Sequence, residues 1–265
     1  MSTFSDEHKK YIKKIRKEKH IVRITQISII ILFLITWELL AHFELINTFL
    51  YSSPSRIIKT ISNLYEKNDL FGHIGITLYE TILSFSIASI FGIIIATILW
   101  SNNFLSKVLD PYLTIINSLP KVALGPLIII WVGASTNSII VMALMISIII
   151  SIINIYNGFI STNESFIKLL KTFNANKWQI FTKAVLPSNK MTIINSFKIN
   201  ISMSLIGVIM GELLVSKKGL GYLIMYGSQV FNINLVITSV FILGIVSYLM
   251  YYLISLLEKK LIKNI

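Results

Sequence analysis

Residues 122–163 read VALGPLIIIWVGASTNSIIVMALMISIIISIINIYNGFISTN, a stretch from Val122 to Asn163 without one charged side chain. At 1.5 Å per residue a single helix of this length would reach roughly 63 Å, about twice the hydrocarbon thickness of a bilayer. The stretch therefore contains a turn, and the small and polar run Gly133-Ala-Ser-Thr-Asn-Ser138 is where it falls. The same ruler, worked outward, predicts an all-α polytopic membrane protein with six spans: about Ile24–Phe43, Ile74–Trp100, Pro111–Val132, Ile139–Ile160, Thr192–Val215 and Leu235–Leu257. Residues 219–234 are uncharged but rich in Gly, Tyr, Asn and Gln, which predicts an interfacial segment rather than a seventh span.

The composition agrees. Of 265 residues 54% are hydrophobic, above the roughly 45–50% usual for soluble domains, and the net charge is +12. That charge is gathered into short stretches between apolar runs with no base-reading motif, which excludes nucleic acid as the expected partner and makes the lipid bilayer the partner. With no cysteine, thiolate metal sites and cysteine nucleophiles are excluded. His8, His20, His42 and His73 are scattered, none with a second ligand at metal-site spacing, and read as ordinary polar residues near segment ends. No Gly-x-x-x-x-Gly-Lys-Ser/Thr phosphate loop is present, so the chain cannot cradle ATP phosphates in that way; it is expected to bind no cofactor itself, and energy, if used, to come from a partner.

Lysine and arginine set the expected orientation. They crowd the basic segment 1–23 (Lys9, Lys10, Lys13, Lys14, Arg16, Lys17, Lys19, Arg23), the loop after span four (Lys168, Lys171, Lys177, Lys183, Lys190) and the C-terminus (Lys259, Lys260, Lys263). With six spans all three lie on one side, expected to be the cytoplasm. The opposite loops hold Arg56, Lys59 and Lys67, diluted by Glu44, Glu66 and Asp69, and the pair Lys217-Lys218. The first apolar run lacks a small-x-small cleavage site and is expected to stay as span one. In the basic arm Tyr11, Ile12, Ile15 and Val22 fall near one helical face; a helix on the inner leaflet and a solvated anchor are both open readings.

The loop 161–190 is too long for a simple connection and too regular for a disordered one. Phe166, Ile167, Leu169, Leu170 and Phe173 keep helical spacing, and Trp178, Phe181, Ala184 and Val185 resume it after a break at Asn174-Ala175. Asn174 suits a left-handed residue at the break, and Asn176 with Gln179 reads as a capping box opening a second helix that Pro187 ends. The expected product is a helix-turn-helix whose apolar face has no use within the chain and suits docking to a partner.

The run Lys168-Leu169-Leu170-Lys171-Thr172-Phe173-Asn174-Ala175-Asn176-Lys177-Trp178-Gln179-Ile180-Phe181, followed by Leu186-Pro187, resembles the cytoplasmic coupling loop of binding-protein-dependent ABC importer permeases. Two departures stand out: Lys168-Leu169-Leu170 replaces the family's Glu-Ala-Ala, and Asn174 its Gly. Ser118-Leu119-Pro120-Lys121-Val122-Ala123-Leu124-Gly125-Pro126-Leu127 with Trp131-Val132-Gly133, Gly211-Glu212-Leu213-Leu214, Gly219-Leu220-Gly221-Tyr222-Leu223-Ile224, and Thr77-Leu78 with Phe85 resemble the nitrate/sulfonate/taurine-type branch. The resemblance spans about Ile24 to Leu257. It implies a permease domain over 24–265, a second permease copy, a cytoplasmic ATPase dimer that uses the ATP, an external solute-binding protein and a bacterial plasma-membrane location. It also implies import of a small solute such as nitrate, a sulfonate or taurine, with a thiamine-precursor pyrimidine as the alternative.

Charged side chains deep in a span cost roughly 2.5–3.5 kcal/mol and need a reason. Lys198 is expected to snorkel to the interface. Glu212, about 21 Å further along span five, has two readings, an outer gate or docking residue and an ion pair with Lys217 or Lys218. Glu80 is expected to face a neighbouring span or a wet cavity. Pro120 and Pro126 are expected to break span three, which makes Ser118–Pro126, including Lys121, the expected lining of the solute path. Two rivals remain: a self-sufficient ion-coupled carrier, against which the ordered loop argues, and an intramembrane enzyme, against which stands the absence of Cys, clustered His or paired intramembrane carboxylates.

Overall fold

The computed structural model describes residues 6–67 and 69–262. Lys263, and the side chains of His8, Lys9, Lys10 and Lys67, lie outside the described residues. Among the described residues the regular structure is helical throughout: α1 (Asp6–His42), α2 (Pro54–Lys67), α3 (Leu70–Ser101), α4 (Asn103–Ser118), α5 (Gly125–Val132), α6 (Thr136–Ile160), α7 (Glu164–Thr172), α8 (residues 177–188), α9 (Lys190–Val215), α10 (Leu220–Gln229) and α11 (Ile233–Ile262).

Helices α1, α3, α6, α9 and α11 are each long and apolar enough to cross a bilayer. The third expected span is not one helix. The expected span Pro111–Val132 begins instead at Asn103, keeps Pro111 inside α4, and bends by 83° between α4 and the segment Lys121–Val132, a 3-10 turn over Lys121–Leu124 that leads into α5. Leu119 and Pro120 form that bend, as the X-Pro bias against helix predicts. Pro126 does not break anything: it stands in the first turn of α5, where a missing N–H leaves no bond unmade. The basic arm is not a separate surface helix but runs unbroken into span one as α1.

The core is the bundle of α3, α6 and α9, which can be close because small residues meet at the crossings. A Cβ on Gly207 would collide with the Ala143 backbone, and one on Gly211 would come within 2.9 Å of the Ile139 Cα. Hydroxyls in the bundle are quenched locally: Thr81 donates to the Thr77 carbonyl and Ser147 to that of Ala143, both at 2.7 Å. A second apolar cluster joins α11 to α2 and α10 through Leu64, Leu220, Leu223, Leu235 and Ile242. Within residues 219–234 lies a ten-residue helix, α10, with Leu220 and Leu223 buried; at about 15 Å it is too short to span. Helix α2 was absent from the sequence reading. Lys198 has an intramolecular partner: its Nζ lies 2.6 Å from Glu258 Oε2 in α11, the pair largely buried.

Candidate functional site

The helix-turn-helix expected over 161–190 forms, and its turn is built as the residues dictate. Asn163 caps α7 by accepting from Ser165 N at 2.9 Å. At the other end Asn174 takes the left-handed conformation (φ 54°). Its N–H donates to the Lys171 carbonyl at 2.9 Å, and that of Ala175 to the Leu170 carbonyl at 3.0 Å. This pair of bonds is the Schellman closure, which glycine usually makes and asparagine tolerates. Asn174 therefore takes up a conformation in which glycine is the usual residue. The capping box opening α8 is complete: Gln179 N donates to Asn176 Oδ1 and Asn176 N to Gln179 Oε1, each at 2.8 Å.

Helix α8 does not end at Pro187. A π-turn over Phe181–Val185 precedes it, in which Leu186 N donates to the Phe181 carbonyl five residues back, and the helix continues to Ser188. The widened turn is how a helix admits a proline ring that would otherwise strike the preceding turn. Asn189 then ties α8 to the end of α6 by donating to Thr162 Oγ1 at 2.7 Å.

Half of the apolar face has an intramolecular use, contrary to expectation. Phe181 is buried among Trp100, Phe159 and Trp178, with ring centroids 5.2, 5.4 and 5.8 Å away. Ile180 and Val185 join it against Ala96 and Ile155, and Leu170, Ala175 and Leu186 pack on the same cluster. Ala175 is thus partly covered by the chain's own bundle. The face left bare is Phe166, Leu169, Phe173 and Trp178, of which Phe173 is 75% exposed. Lys168 pairs with Glu164 one turn earlier at 2.7 Å on the outer surface. That bond holds the Glu164 carboxyl below its usual value and the Lys168 ammonium above its own.

At the opposite end of the bundle Glu80 and Glu212 come together, both buried. Paired intramembrane carboxylates are therefore present after all, brought from α3 and α9 across 132 residues of sequence. Glu212 forms no ion pair with Lys217 or Lys218; Lys218 reaches Asp69 at 3.4 Å instead. The Glu212 carboxylate accepts from Thr77 Oγ1 at 2.6 Å and from Gly221 N at 2.5 Å, at the N-terminus of α10. Gly219 (φ 117°) leaves it room, since a Cβ there would run into the carboxylate. Thr77 Oγ1 also accepts from Leu220 N at 2.9 Å, and His73 Nδ1 from Gly219 N at 3.0 Å. His73, read as an ordinary polar residue, is a buried member of this lock and stacks on Tyr222.

Glu80 is different: neither oxygen makes a hydrogen bond of normal geometry, although Glu212 and Thr136 adjoin it. Ser84, Asn200 and Ser204 also carry unpartnered buried oxygens, and Asn200 Nδ2 donates to Ser89 Oγ at 2.8 Å, which carries a polar seam across α3 and α9. Ser118, Pro120 and Pro126 are exposed, and Lys121 folds back on the Asn117 carbonyl at 2.8 Å. The expected path residues thus fall into two groups, one buried in the bundle and one on its surface.

Residues 88–263 match the family described as binding-protein-dependent transport system inner membrane component. The chain belongs to this family. The permease is 26% identical over 227 residues to the Bacillus subtilis protein named as an aliphatic sulfonates transport permease, SsuC, covering 86% of this chain and 82% of that one. It is 26% identical over 232 residues to the formylaminopyrimidine transport permease protein ThiX of Halalkalibacterium halodurans, covering 88% and 92%. An inward-facing MetNI methionine ABC transporter structure superposes with a TM-score of 0.62 at 17% identity, over 73% of this chain and 98% of that one. The permease is thus a multi-pass, non-catalytic subunit of an ABC importer, of the nitrate/sulfonate/taurine-type branch. The paired carboxylates accordingly do not revive the enzyme reading.

Proposed function

We propose that two copies of this permease form the path for a small solute across a bacterial plasma membrane, with a dimer of ATP-hydrolysing subunits docked on Phe166, Leu169, Phe173 and Trp178. The supporting observation is the division of the α7–α8 face: one half is locked to the ends of α3 and α6, the other is bare and apolar. Force applied to the bare half is delivered to both core helices as a rigid-body motion, because Phe181 and Asn189 leave the segment no slack. At the far end the Glu212 lock carries the motion of α3 and α9 into α10. Closure of the ATPases draws the coupling segments together and opens the path outward, where a solute-binding protein delivers its cargo; hydrolysis resets the pair. ATP is used by the partner, and this chain holds none.

The α7–α8 end lies in the cytoplasm, together with both termini, on the lysine and arginine distribution. The chain lacks cysteine, so single thiols report this directly. Ser165→Cys stays shielded from an impermeant maleimide in intact cells and Ser216→Cys reacts; labelling of Ser165→Cys from outside refutes the orientation.

The substrate is a small solute such as nitrate, a sulfonate or taurine, supported by the similarity to SsuC. A formylated pyrimidine is the second reading, supported by a similarity of equal identity to ThiX. Uptake of labelled taurine, ethanesulfonate, nitrate and formylaminopyrimidine by cells expressing the complete transporter separates them; uptake of none overturns both.

A further inference from the structure

A cleft of about 660 Å³ opens between α2 and the α10–α11 junction, at the end opposite the coupling segment. Arg56, Lys59 and Asn63 line one wall and Tyr226, Asn232 and Asn234 the other, with no acidic residue in the lining. Arg56 and Lys59 are one helical turn apart and so share a face of α2. Among the described residues neither forms an ion pair, and Arg56 spends one N–H on the Thr48 carbonyl at 3.3 Å. Both asparagines of the far wall have their oxygens occupied. Asn232 Oδ1 accepts from Leu235 N at 3.2 Å, and Asn234 Oδ1 from Ser52 Oγ at 2.7 Å. Their amide N–H groups are what remains for the cleft. The result is a concave surface of fixed donors and two cations with no competing carboxylate, set beside the apolar Leu64 and Leu235.

We propose that this cleft binds the oxyanion group, sulfonate or carboxylate, of a low-mass solute. Guanidinium and ammonium N–H groups make the strongest hydrogen bonds to such oxygens, and the amides satisfy those facing away from α2. The apolar residues accept a short alkyl tail. The site is separate from the polar seam inside the bundle, none of whose buried residues is in its lining. The inference draws on the importer reading only for why such a solute reaches this end; binding is measured on the permease alone, so its failure leaves that reading standing.

The test uses Thr60→Cys, a cleft-lining position in an otherwise cysteine-free chain, in the full-length permease held in nanodiscs. Ethanesulfonate at about 2 mM, twice a Kd of about 1 mM, slows maleimide labelling roughly threefold relative to sodium chloride of equal ionic strength. Arg56→Gln or Lys59→Gln abolishes the protection while Lys59→Arg keeps it, a pattern that misfolding does not produce. Equal protection by the neutral ethyl methyl sulfone overturns the proposal, and so does protection that survives both glutamine substitutions. Protection by an acidic peptide but not by ethanesulfonate overturns the assignment to a small solute.

Discussion

Replacing Glu212 by leucine removes the acceptor for two buried donors, Gly221 N–H and the Thr77 hydroxyl, at constant approximate volume. Each buried polar group left without a partner costs about 1–3 kcal/mol, so Glu212→Leu is expected to destabilise the permease by about 2–6 kcal/mol. Glu212→Gln keeps one oxygen as acceptor and turns the other into a donor facing Gly221 N–H or Thr77, which places its cost at about 1–3 kcal/mol. An exposed ion pair is worth about 0–1 kcal/mol, and Lys218→Gln, which breaks the pair to Asp69, should fall in that range. Unfolding followed by tryptophan fluorescence in detergent, with the midpoint and slope compared across the three variants, reads the difference. The same reasoning predicts that limited proteolysis cuts the Glu212→Leu variant first at residues 216–219, because α10 loses its tether. A loss below about 1 kcal/mol for Glu212→Leu, equal to that of Lys218→Gln, would refute the assignment of Glu212 as the anchor of α10.

Asn174→Val puts a β-branched residue in the left-handed region and is expected to cost about 1–2 kcal/mol, whereas Asn174→Gly is neutral or stabilising; the same unfolding assay checks both. Phe181→Ala empties the aromatic cluster that locks the coupling segment and is expected to cost about 3–5 kcal/mol, with hydrogen exchange rising across residues 164–188 before it rises in α9. Lys198→Met strands Glu258 near the membrane and is expected to cost about 3–5 kcal/mol, most of which returns in the double variant with Glu258→Gln. A double-mutant cycle on thermal midpoints decides whether the pair acts together.

Features that depend on neighbours in sequence were legible. Asn174 as a left-handed turn and Asn176 with Gln179 as a capping box needed only local chemistry, and both are found in the structure. Span lengths followed from the bilayer ruler, apart from the third, where a proline marks a break but not its angle. Helix α2 is legible in hindsight, because Ile57, Ile61 and Leu64 recur at helical spacing after Pro54 in the first turn. The Glu212 lock could not be read, since His73, Thr77 and Gly219 lie on other segments and a lone buried histidine has no local signature. Nor could the division of the α7–α8 face: spacing marks Phe173, Trp178 and Phe181 alike as apolar, and only the ends of α3 and α6 decide which are covered.

That division also decides how the central claim is tested. Ala175 touches the bundle, so a charge there would disturb the permease itself. Phe173 is bare, and Phe173→Glu leaves the Schellman turn and the Phe181 cluster intact while placing a carboxylate where a partner's apolar groove closes. A charge desolvated there without a partner costs several kcal/mol. The measurement is pull-down of the ATPase subunit and its hydrolysis in reconstituted vesicles with loaded binding protein, for Phe173→Glu beside the polar-face control Lys183→Gln. The account predicts that Phe173→Glu inserts and folds normally but loses ATPase association or the stimulation of hydrolysis, while the control keeps both. Full association and full stimulation in Phe173→Glu would contradict it.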